Sequence, residues 1–372
     1  MIYFDNNATS PIDPLVFEAM EPFLTTFYGN PSSLHRHGRV VKTAIEQARQ
    51  HVANLVNVSA EQVIFTSGGT EANNLCISAA VCSNKQHLLL GATEHPSVVE
   101  PIRQLSKKGF FFDQLAVDDN GLISIDTLKR GLSEDTGLVS IMQANNETGV
   151  LQNIAPLAAL AKEKGAIVHT DAVQSVGKIP VDFNALGVNL MSISGHKIYG
   201  PKGVGAVIHD KKTSLMPMLY GGGQEMNIRP GTENAAAIIG FGRAAELAQQ
   251  TLDNRSRHLL ALQQALEAGV KGIEGVRVVA SDVDRLPNTS QLLIESVDGE
   301  MLLMQLDQKG VAISSGSACS SNSKSPSAVL TAMGVPDKRA LSAIRVSLGQ
   351  QNTQQEVAEF VSILKSVVTQ SA

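Results

Sequence analysis

Apolar positions in the first two thirds of the 372-residue chain form short continuous runs, separated by longer stretches with helical spacing. The runs predict seven strands, at Val63–Thr66, His87–Ala92, Gly109–Leu115, Leu138–Ala144, Ala166–Asp171, Asn189–Ser194 and Val204–His209. The longer stretches predict helices at Arg36–Leu55, Glu71–Cys82, Pro96–Lys107 and Ile154–Lys164. Runs that are apolar at consecutive positions are typical of strands buried on both faces. The alternation therefore predicts an α/β fold with a mostly parallel, seven-stranded sheet flanked by helices.

A different rhythm begins with a long helical stretch from Glu233 to about Gly269. Shorter strands and helices then follow closely, at Val276–Ala280, Thr289–Ser296, Glu300–Lys309, Val311–Ser314, Pro326–Met333, Ile344–Leu348 and from about Gln354 onward. A chain of this length is larger than one hydrophobic core usually supports. We therefore expect a second, smaller α+β domain in the last third.

Composition and charge narrow the range of partners. Hydrophobic residues make up 43% of the chain, and the net charge of −5 gives no reason to expect nucleic acid or an anionic membrane as a partner. The chain has no apolar run of about eighteen residues, and Met1–Asn7 does not read as a signal peptide. Three cysteines, Cys76, Cys82 and Cys319, argue against a disulfide framework. We expect a cytoplasmic protein.

Lys197 lies in an unusual position for a lysine. In SISGHKIYGPKGVG, residues 192–205, an apolar strand leads directly into Gly195, His196 and Lys197. Most lysines are exposed, and a surface loop is the ordinary alternative. A desolvated lysine amine can instead lose its proton and form a Schiff base with a carbonyl group, as pyridoxal 5'-phosphate (PLP) requires. Lys197 is therefore a candidate for binding PLP.

An acidic partner for such a cofactor follows an earlier strand. In AIVHTDAVQSVGK, Asp171 stands at the carboxyl end of an apolar run, where ligand sites of open α/β sheets collect. A carboxylate there would keep a pyridine nitrogen protonated, and Gln174 could donate to the ring oxygen. The alternative for Asp171 is a capping role at the start of the next segment.

Two further strand ends offer sites for the rest of the cofactor. In FTSGGTEANN, residues 65–74, Gly69 and Thr70 open a helix whose N-terminal N–H groups could bind phosphate, although many turns carry glycine pairs without a ligand. In GATEHPSVVE, His95 precedes a helix, where an imidazole could stack on a ring and move protons. A lone histidine is more often structural.

Two residues near the end of the chain suggest reactive or binding roles. Cys319 lies in SSGSACSSNSKSPS, a composition suited to a mobile exposed loop that presents a thiolate nucleophile. Arg345, in AIRVSLG, has the planar guanidinium that suits a substrate carboxylate. The spacing of histidines and cysteines predicts no metal site. Cys76 and Cys82 read as small core residues.

Together these segments resemble the cysteine desulfurases, in particular the NifS/IscS-like group of PLP enzymes with the aminotransferase-like fold (fold type I, class V). The resemblance extends over nearly the whole chain and rests on YFDNNATSP, YGNPSSLHRHGR, ANNETGVLQNI, HTDAVQSVGK, SGHKIYGPKGVGA, RPGTEN, SSGSACSS and IRVSLG. The combination is much more specific than any one segment. We accordingly place a large PLP-binding domain at 15–250 and a small domain, carrying the Cys319 loop, at 1–14 and 251–372.

The resemblance implies roles around the cofactor. Lys197 would bind PLP as a Schiff base and later move the Cα proton, with His95 stacked on the ring. Asp171 would pair with the pyridine nitrogen, Gln174 would bond the ring oxygen, and Asn146 would lie near ring and substrate. The implied phosphate-binding residues are Gly69, Thr70, Ser194 and His196, together with Thr232 from the second subunit of a homodimer.

The resemblance also implies the reaction. Arg345 would anchor the carboxylate of L-cysteine, and Cys319 would attack the sulfur, leaving L-alanine and a persulfide on Cys319. A sulfur-acceptor protein would then receive the sulfur for iron–sulfur clusters or other sulfur-containing products. The alternatives are a selenocysteine lyase of the same fold, a PLP aminotransferase in which Cys319 is incidental, and a sulfur carrier without catalysis.

Some positions depart from the family's pattern. Gln224, Met226 and Asn227 stand in GGGQEMNIRPGT, where the family usually has His or Gln and then Arg-Gly, and Gln350 stands where an arginine is usual. The sequence ends at Ala372, whereas relatives that serve the general scaffold protein usually carry a further extension. We therefore expect weak or no docking to that scaffold.

Overall fold

Strands and helices alternate along the chain in a computed structural model that describes residues 1–295, 297–315 and 325–371. The strands are β1 (Ile2–Tyr3), β2 (Val63–Thr66), β3 (His87–Gly91), β4 (Phe111–Leu115), β5 (Thr136–Ser140), β6 (Ile167–Asp171), β7 (Leu190–Ser194), β8 (Gly205–His209), β9 (Val276–Val278), β10 (Thr289–Ile294), β11 (Val311–Ala312), β12 (Ser314–Ser315) and β13 (Ala343–Ser347). The helices are α1 (Pro14–Thr25), α2 (Arg36–Leu55), α3 (Gly69–Ser78), α4 (Pro96–Ser106), α5 (Ile125–Gly131), α6 (Ile154–Glu163), α7 (Phe183–Leu186), α8 (Ala235–Val270), α9 (Gly299–Gln308), α10 (Ala328–Ala332), α11 (Asp337–Ala340) and α12 (Gln354–Ser371).

A seven-stranded sheet organises the first two thirds, with the strand order β2-β8-β7-β6-β5-β3-β4. Strands β7, β6, β5, β3 and β4 pair in parallel, and β8 runs antiparallel to both of its neighbours, so β2 points the same way as β7. Every residue of β3, β5 and β7 is buried, as expected for strands covered on both faces. The predicted α/β fold with a mostly parallel, seven-stranded sheet is confirmed.

A second, antiparallel sheet lies in the last third, with the order β12-β13-β10-β9, and β1 pairs in parallel with β11 beside it. Helices α9 and α12 pack on this part of the chain. Their apolar cluster includes Phe4 from the N-terminus and Phe360 from α12, whose rings meet edge to face at 5.6 Å. The N-terminal segment is thereby fixed to the C-terminal part of the protein.

Helix α8 runs through both parts of the protein. Its first half, up to Ala248, belongs to the apolar cluster of the large sheet, and its second half, from Leu259, belongs to the cluster that includes Phe4. At about 1.5 Å per residue, a helix of 36 residues is roughly 54 Å long. The separation of the two clusters supports the predicted division into 15–250 and 1–14 with 251–372, which stays a prediction.

The sequence located most elements within two or three residues but missed several. Val63–Thr66 and Arg36–Leu55 match β2 and α2 at both ends. Helix α1 was missed because a proline lies inside its short apolar pattern, although Asp13 caps it by accepting from the Leu15 backbone N–H. Cys76 is buried as expected, whereas the core assignment of Cys82 was wrong, since its side chain is exposed beyond the end of α3. Within the described residues, no helix is long and apolar enough to cross a membrane.

Candidate active site

A cavity of about 320 Å³ lies at the carboxyl ends of β5, β6 and β7, beside the N-terminus of α3. Parallel strands place their carboxyl ends at one edge of the sheet, so residues that are distant in sequence meet there. The predicted residues that line the cavity are Gly69, Thr70, His95, Asn146, Asp171, Gln174, Ser194, His196, Lys197 and Arg345. A larger cavity of about 500 Å³ lies near residues 223–226, and none of the residues known to line it is in this predicted set.

One end of the cavity is shaped for an anion. Helix α3 begins at Gly69, and its N-cap residue, Gly68, has no side chain to cover the first N–H groups. A Cβ atom on Gly69 would lie 3.1 Å from Val173 Cγ2, so a larger residue would crowd this approach. The Ser194 hydroxyl is buried beside it and has no hydrogen-bond partner among the described residues. A phosphate group would supply the missing acceptor.

His196 also lines the cavity, as a neutral side chain. Burial, followed by the charges of Lys197 and Lys202, lowers the pKa of His196 to about 4. Its Nδ1 lies 3.1 Å from Thr9 Oγ1, which ties the ring to the N-terminal segment. A neutral imidazole can still donate one N–H to an anion.

Asp171, at the end of β6, is 6% exposed and has two kinds of partner. Its Oδ1 accepts from the Val173 backbone N–H at 2.9 Å, so the capping alternative correctly describes one oxygen. Its Oδ2 accepts from Asn73 Nδ2 at 2.7 Å, and the carboxyl group borders the cavity. One oxygen of Asp171 therefore caps the following turn, and the buried carboxyl group also borders the cavity.

Asn73 links this acid to His95. Its Nδ2 group donates both to Asp171 and to Ser97 Oγ, the latter at 2.8 Å. Ser97 Oγ lies 2.7 Å from His95 Nδ1, which also accepts from the Ser97 backbone N–H. Because Nδ1 accepts, the proton of the neutral ring is on Nε2. Burial is the largest influence on His95 and lowers its pKa, which favours this neutral form.

Lys197 is directed toward the N-terminal segment of the chain. Its Nζ donates to the backbone oxygen of Asn7 and, at 2.7 Å, to that of Ala8. Asn7 itself is 1% exposed, and its side chain donates to Thr289 Oγ1 at 2.9 Å. A role for Asn7 was not predicted from the sequence, although two consecutive asparagines between a buried strand and a helix are an unusual polar insertion in a core.

Arg345, on β13, closes the cavity from the second sheet and is 2% exposed. Its Nη2 donates to Asp5 Oδ1 at 2.8 Å and its Nη1 to the Asn146 backbone oxygen at 3.1 Å. Its Nε has no partner among the described residues. The guanidinium is therefore held in place by two contacts and retains N–H groups for a carboxylate.

Two of the predicted site residues are not among the described residues that line the cavity. Thr232 is exposed and is not among the cavity-lining residues of its own chain. Cys319 lies outside the described residues, within 316–324. The chain on one side of that segment lies close to the cavity, because Ser314 on β12 is the register partner of Arg345.

The other side of that segment is anchored by a buried pair. Ser327 donates to Glu147 Oε2 at 2.5 Å and caps α10 by accepting from the Leu330 N–H. Glu147 follows Asn146 in the turn after β5. Burial raises the pKa of Glu147 to about 7, against the lowering effects of Ser327 and Arg345. Neither Glu147 nor Ser327 was singled out from the sequence, since their partnership spans 180 positions.

The segment that contains Gln224, Met226 and Asn227 has an unusual backbone and is held by a buried ion pair of Glu225. Glu225, Met226 and Asn227 all have left-handed backbone angles, with φ of 44°, 60° and 63°. Asparagine tolerates this conformation better than most residues, so Asn227 is a reasonable replacement for glycine. Glu225 is fixed by Arg49, which donates to its two carboxylate oxygens at 2.7 and 2.8 Å. Gln350 donates from its side chain to Asp13 Oδ2 at 3.2 Å.

These observations fit PLP. The unpartnered Ser194 hydroxyl and the α3 N-terminus suit its phosphate, Asp171 suits its pyridine nitrogen, and Lys197 suits its carbonyl carbon. Among the described residues no group of three or more His, Cys, Asp or Glu side chains could hold a metal ion.

Comparisons with known proteins identify the family of this chain. The class-V aminotransferase family matches residues 2–360. The chain is 44% identical to a protein of Dictyoglomus turgidum named cysteine desulfurase IscS, over 99% of this chain and 94% of that one. A solved NifS-like protein is 36% identical with a TM-score of 0.93, over 99% of both chains. A structure described as SspA in complex with cysteine is 31% identical with a TM-score of 0.83, over 95% of this chain and 100% of that one. The chain therefore belongs to the class-V aminotransferase family of PLP-dependent enzymes.

Proposed function

We propose that this protein is a PLP-dependent cysteine desulfurase that converts L-cysteine to L-alanine. The observation that carries the proposal is the single cavity that joins Lys197, Asp171, an anion site at α3 and Arg345. Relatives named cysteine desulfurase, at 40 to 44% identity over 99% of the chain, support the same activity. The selenocysteine lyase is the less favoured alternative.

Each part of the cofactor has residues to hold it. Lys197 is the attachment point, the α3 N-terminus with Thr70 and Ser194 receives the phosphate, and Asp171 keeps the ring nitrogen protonated. When bound, PLP supplies an electron sink that stabilises a carbanion at the substrate Cα. His95 lines the same cavity with its proton on Nε2 and would donate or accept protons beside the bound cofactor.

Arg345 orients the substrate, and Cys319 completes the reaction. The guanidinium binds the carboxylate of L-cysteine, which fixes the direction of the substrate side chain. The Cys319 thiol then exchanges with the substrate: the Cβ–S bond breaks, an S–S bond forms on Cys319, and the electron pair of the broken bond stays on carbon, which takes a proton. L-Alanine leaves, and the oxidised sulfur stays on Cys319 as a persulfide.

The surroundings of the Cys319 segment support this assignment. Cys319 follows Ser314 by five residues, a reach of at most roughly 17 Å for an extended chain, and Ser314 is opposite Arg345. The chain after the segment is tied through Ser327 to Glu147, next to the cavity residue Asn146. Both flanks of the segment therefore start from the edge of the cavity.

The proposal includes a homodimer, a protein acceptor and a cytoplasmic location. Thr232 is exposed on its own chain, as expected of a residue that binds the phosphate in a second subunit. Exposed Leu219 and Tyr220, near the same loop, are apolar residues that a second copy would cover. A persulfide passes its outer sulfur to a thiolate, so the acceptor presents a cysteine. Free cysteines such as Cys82 are typical of a reducing compartment.

The activity is tested by incubating the PLP-loaded protein with L-cysteine and dithiothreitol and measuring alanine and sulfide. Equal amounts of the two products without an added keto acid support the proposal. A requirement for a keto acid, with the cofactor converted to its pyridoxamine form, would identify an aminotransferase. Turnover of L-selenocysteine alone would identify a lyase.

A further inference from the structure

Lys178 is a buried lysine beside the active site that has no role in the chemistry described above. It lies in the turn after β6 and is 5% exposed. Its Nζ donates to Gln174 Oε1 at 2.9 Å and to Asn7 Oδ1 at 2.8 Å. Both partners are neutral amide oxygens. A lysine is seldom buried without a carboxylate, so a stability role alone explains it poorly.

The contact with Gln174 determines which end of that amide faces the cavity. A side-chain amide has an oxygen that accepts and an NH₂ group that donates, and a turn of the group exchanges them. Whether charged or neutral, the Lys178 amine has at least two hydrogens, enough to donate to both Gln174 and Asn7. The Gln174 oxygen is therefore held by Lys178, and its Nε2 points the other way.

The position of Nε2 agrees with this reasoning. It donates to the Asn7 backbone oxygen at 3.1 Å, the same oxygen that accepts from Lys197, and Gln174 lines the cavity. The amide NH₂ thus lies next to the lysine that binds the cofactor. Its second hydrogen is available for a ligand oxygen at that place.

Nearby charges oppose the presence of another cation at this position. Burial, followed by the charges of Lys197 on the segment after β7 and Arg345 on β13, lowers the pKa of Lys178 well below its ordinary value. Uncharged side chains of similar length, such as methionine, would avoid this cost. The lysine is therefore explained by its two donated hydrogen bonds rather than by its charge.

We propose that Lys178 is a positioning residue that fixes the Gln174 amide with its NH₂ group toward the cavity, where it donates to the ring oxygen of the bound cofactor. This inference rests on the proposed function for the placement of the cofactor. It does not require that L-cysteine is the substrate.

The test uses the pH midpoint of the visible absorbance change of the PLP-loaded protein without substrate. A donor to the ring oxygen lowers the proton affinity of the adjacent nitrogen that joins the cofactor to Lys197. We expect Gln174→Ala and Lys178→Met each to raise the midpoint, by about one pH unit for one lost hydrogen bond. The double variant should match Gln174→Ala alone, because Lys178 acts through Gln174.

A matched control is Arg255→Met. Arg255 is another buried cation, 6% exposed, and it donates to the backbone oxygen of Gly177, the residue before Lys178. This variant removes a buried positive charge near the same turn without touching Gln174, so its midpoint should equal that of the wild type. A shift as large as that of Lys178→Met would show a general effect of destabilisation and would overturn the proposal.

A second variant keeps the test decisive if Lys178→Met does not fold. Gln174→Glu keeps the contact with Lys178 but replaces the NH₂ group by an oxygen, and it should raise the midpoint at least as much as Gln174→Ala. A wild-type midpoint in that variant, or a double variant shifted beyond Gln174→Ala, would refute the proposal. Because the readout needs no turnover, these outcomes are independent of whether alanine is released from cysteine.

Discussion

At the scale of single residues, the active site depends on side chains that hold other side chains. Asp5 holds Arg345, Asn73 holds Asp171, and Asn7 accepts from Lys178 while its backbone oxygen accepts from Lys197. These partners are polar groups, buried in the case of Asn7 and Asn73 and partly buried in the case of Asp5, that join elements distant in sequence. Their cost of burial is offset only if each hydrogen bond is made. Loss of one partner should therefore have effects that are specific and measurable.

Asp5→Ala should destabilise the protein by leaving the buried Arg345 without its carboxylate. We expect the free energy of unfolding in urea to fall by about 3 kcal/mol, the usual cost of breaking a buried pair. Adding Arg345→Leu should recover part of this loss. Glu100→Ala is the control, because Glu100 pairs with Arg103 on the surface and its loss should cost less than about 1 kcal/mol. Equal effects of Asp5→Ala and Glu100→Ala would contradict the interpretation.

Asn73→Ala should lower kcat about tenfold, because one hydrogen bond to the Asp171 carboxylate and the link to His95 are both lost. The amount of bound PLP, measured by absorbance, should stay close to the wild-type value. Asn74→Ala is the matched control on the same helix, since Asn74 donates only to the Thr70 backbone oxygen within the described contacts. Full activity of Asn73→Ala would exclude this role.

At the scale of elements, the strands and their order along the chain are readable because burial on both faces leaves continuous apolar runs. The carboxyl ends of β6 and β7 lie at the residues predicted from the sequence. Asp171 and Lys197 could therefore be identified as candidate site residues. Asn7, Asn73 and Lys178 could not be predicted in the same way. Their roles arise from tertiary contacts, such as the one between Asn7 and Lys178, which are 171 positions apart. The pattern of neighbouring residues in the sequence does not indicate such contacts.

The hydrogen bond between Ser327 and Glu147, which anchors α10, is also a contact between residues distant in sequence, and we expect its contribution to stability to depend on pH. Burial raises the pKa of Glu147 from its ordinary 4.5 to about 7. The folded protein binds this proton more tightly than the unfolded chain does. The resulting contribution to the free energy of unfolding is fully present below about pH 4.5 and is lost as the pH rises through about 7. Glu147→Gln removes this loss and can still accept from Ser327.

We therefore expect Glu147→Gln to become more stable relative to the wild type between pH 5 and pH 8, by about 2 kcal/mol in urea unfolding. Glu163→Gln, on the exposed side of α6, is the control. If the difference between Glu147→Gln and the wild type is the same at both pH values, Glu147 is not protonated in the folded protein.

At the scale of the whole molecule, we expect a dimer of two 39.4 kDa chains in sedimentation experiments. Leu219 and Tyr220 are 56% and 85% exposed, and substitution of both by Asp should give monomers with weaker PLP binding, since Thr232 would no longer reach a partner. Substitution of Met301 and Met304, exposed apolar residues on α9, by Asp is the control. Monomeric wild-type protein, or dissociation by the control alone, would contradict this arrangement.

The role of Cys319 as sulfur acceptor is tested by a single-turnover reaction of the PLP-loaded protein with ³⁵S-labelled L-cysteine without reductant, for the wild type and Cys319→Ala. We predict one labelled sulfur bound to the peptide that contains Cys319, together with one alanine per active site. Cys319→Ala should bind PLP and cysteine but release no alanine. Label on another cysteine, or alanine release by Cys319→Ala at the wild-type rate, would show that the cavity does not use Cys319 as its sulfur acceptor.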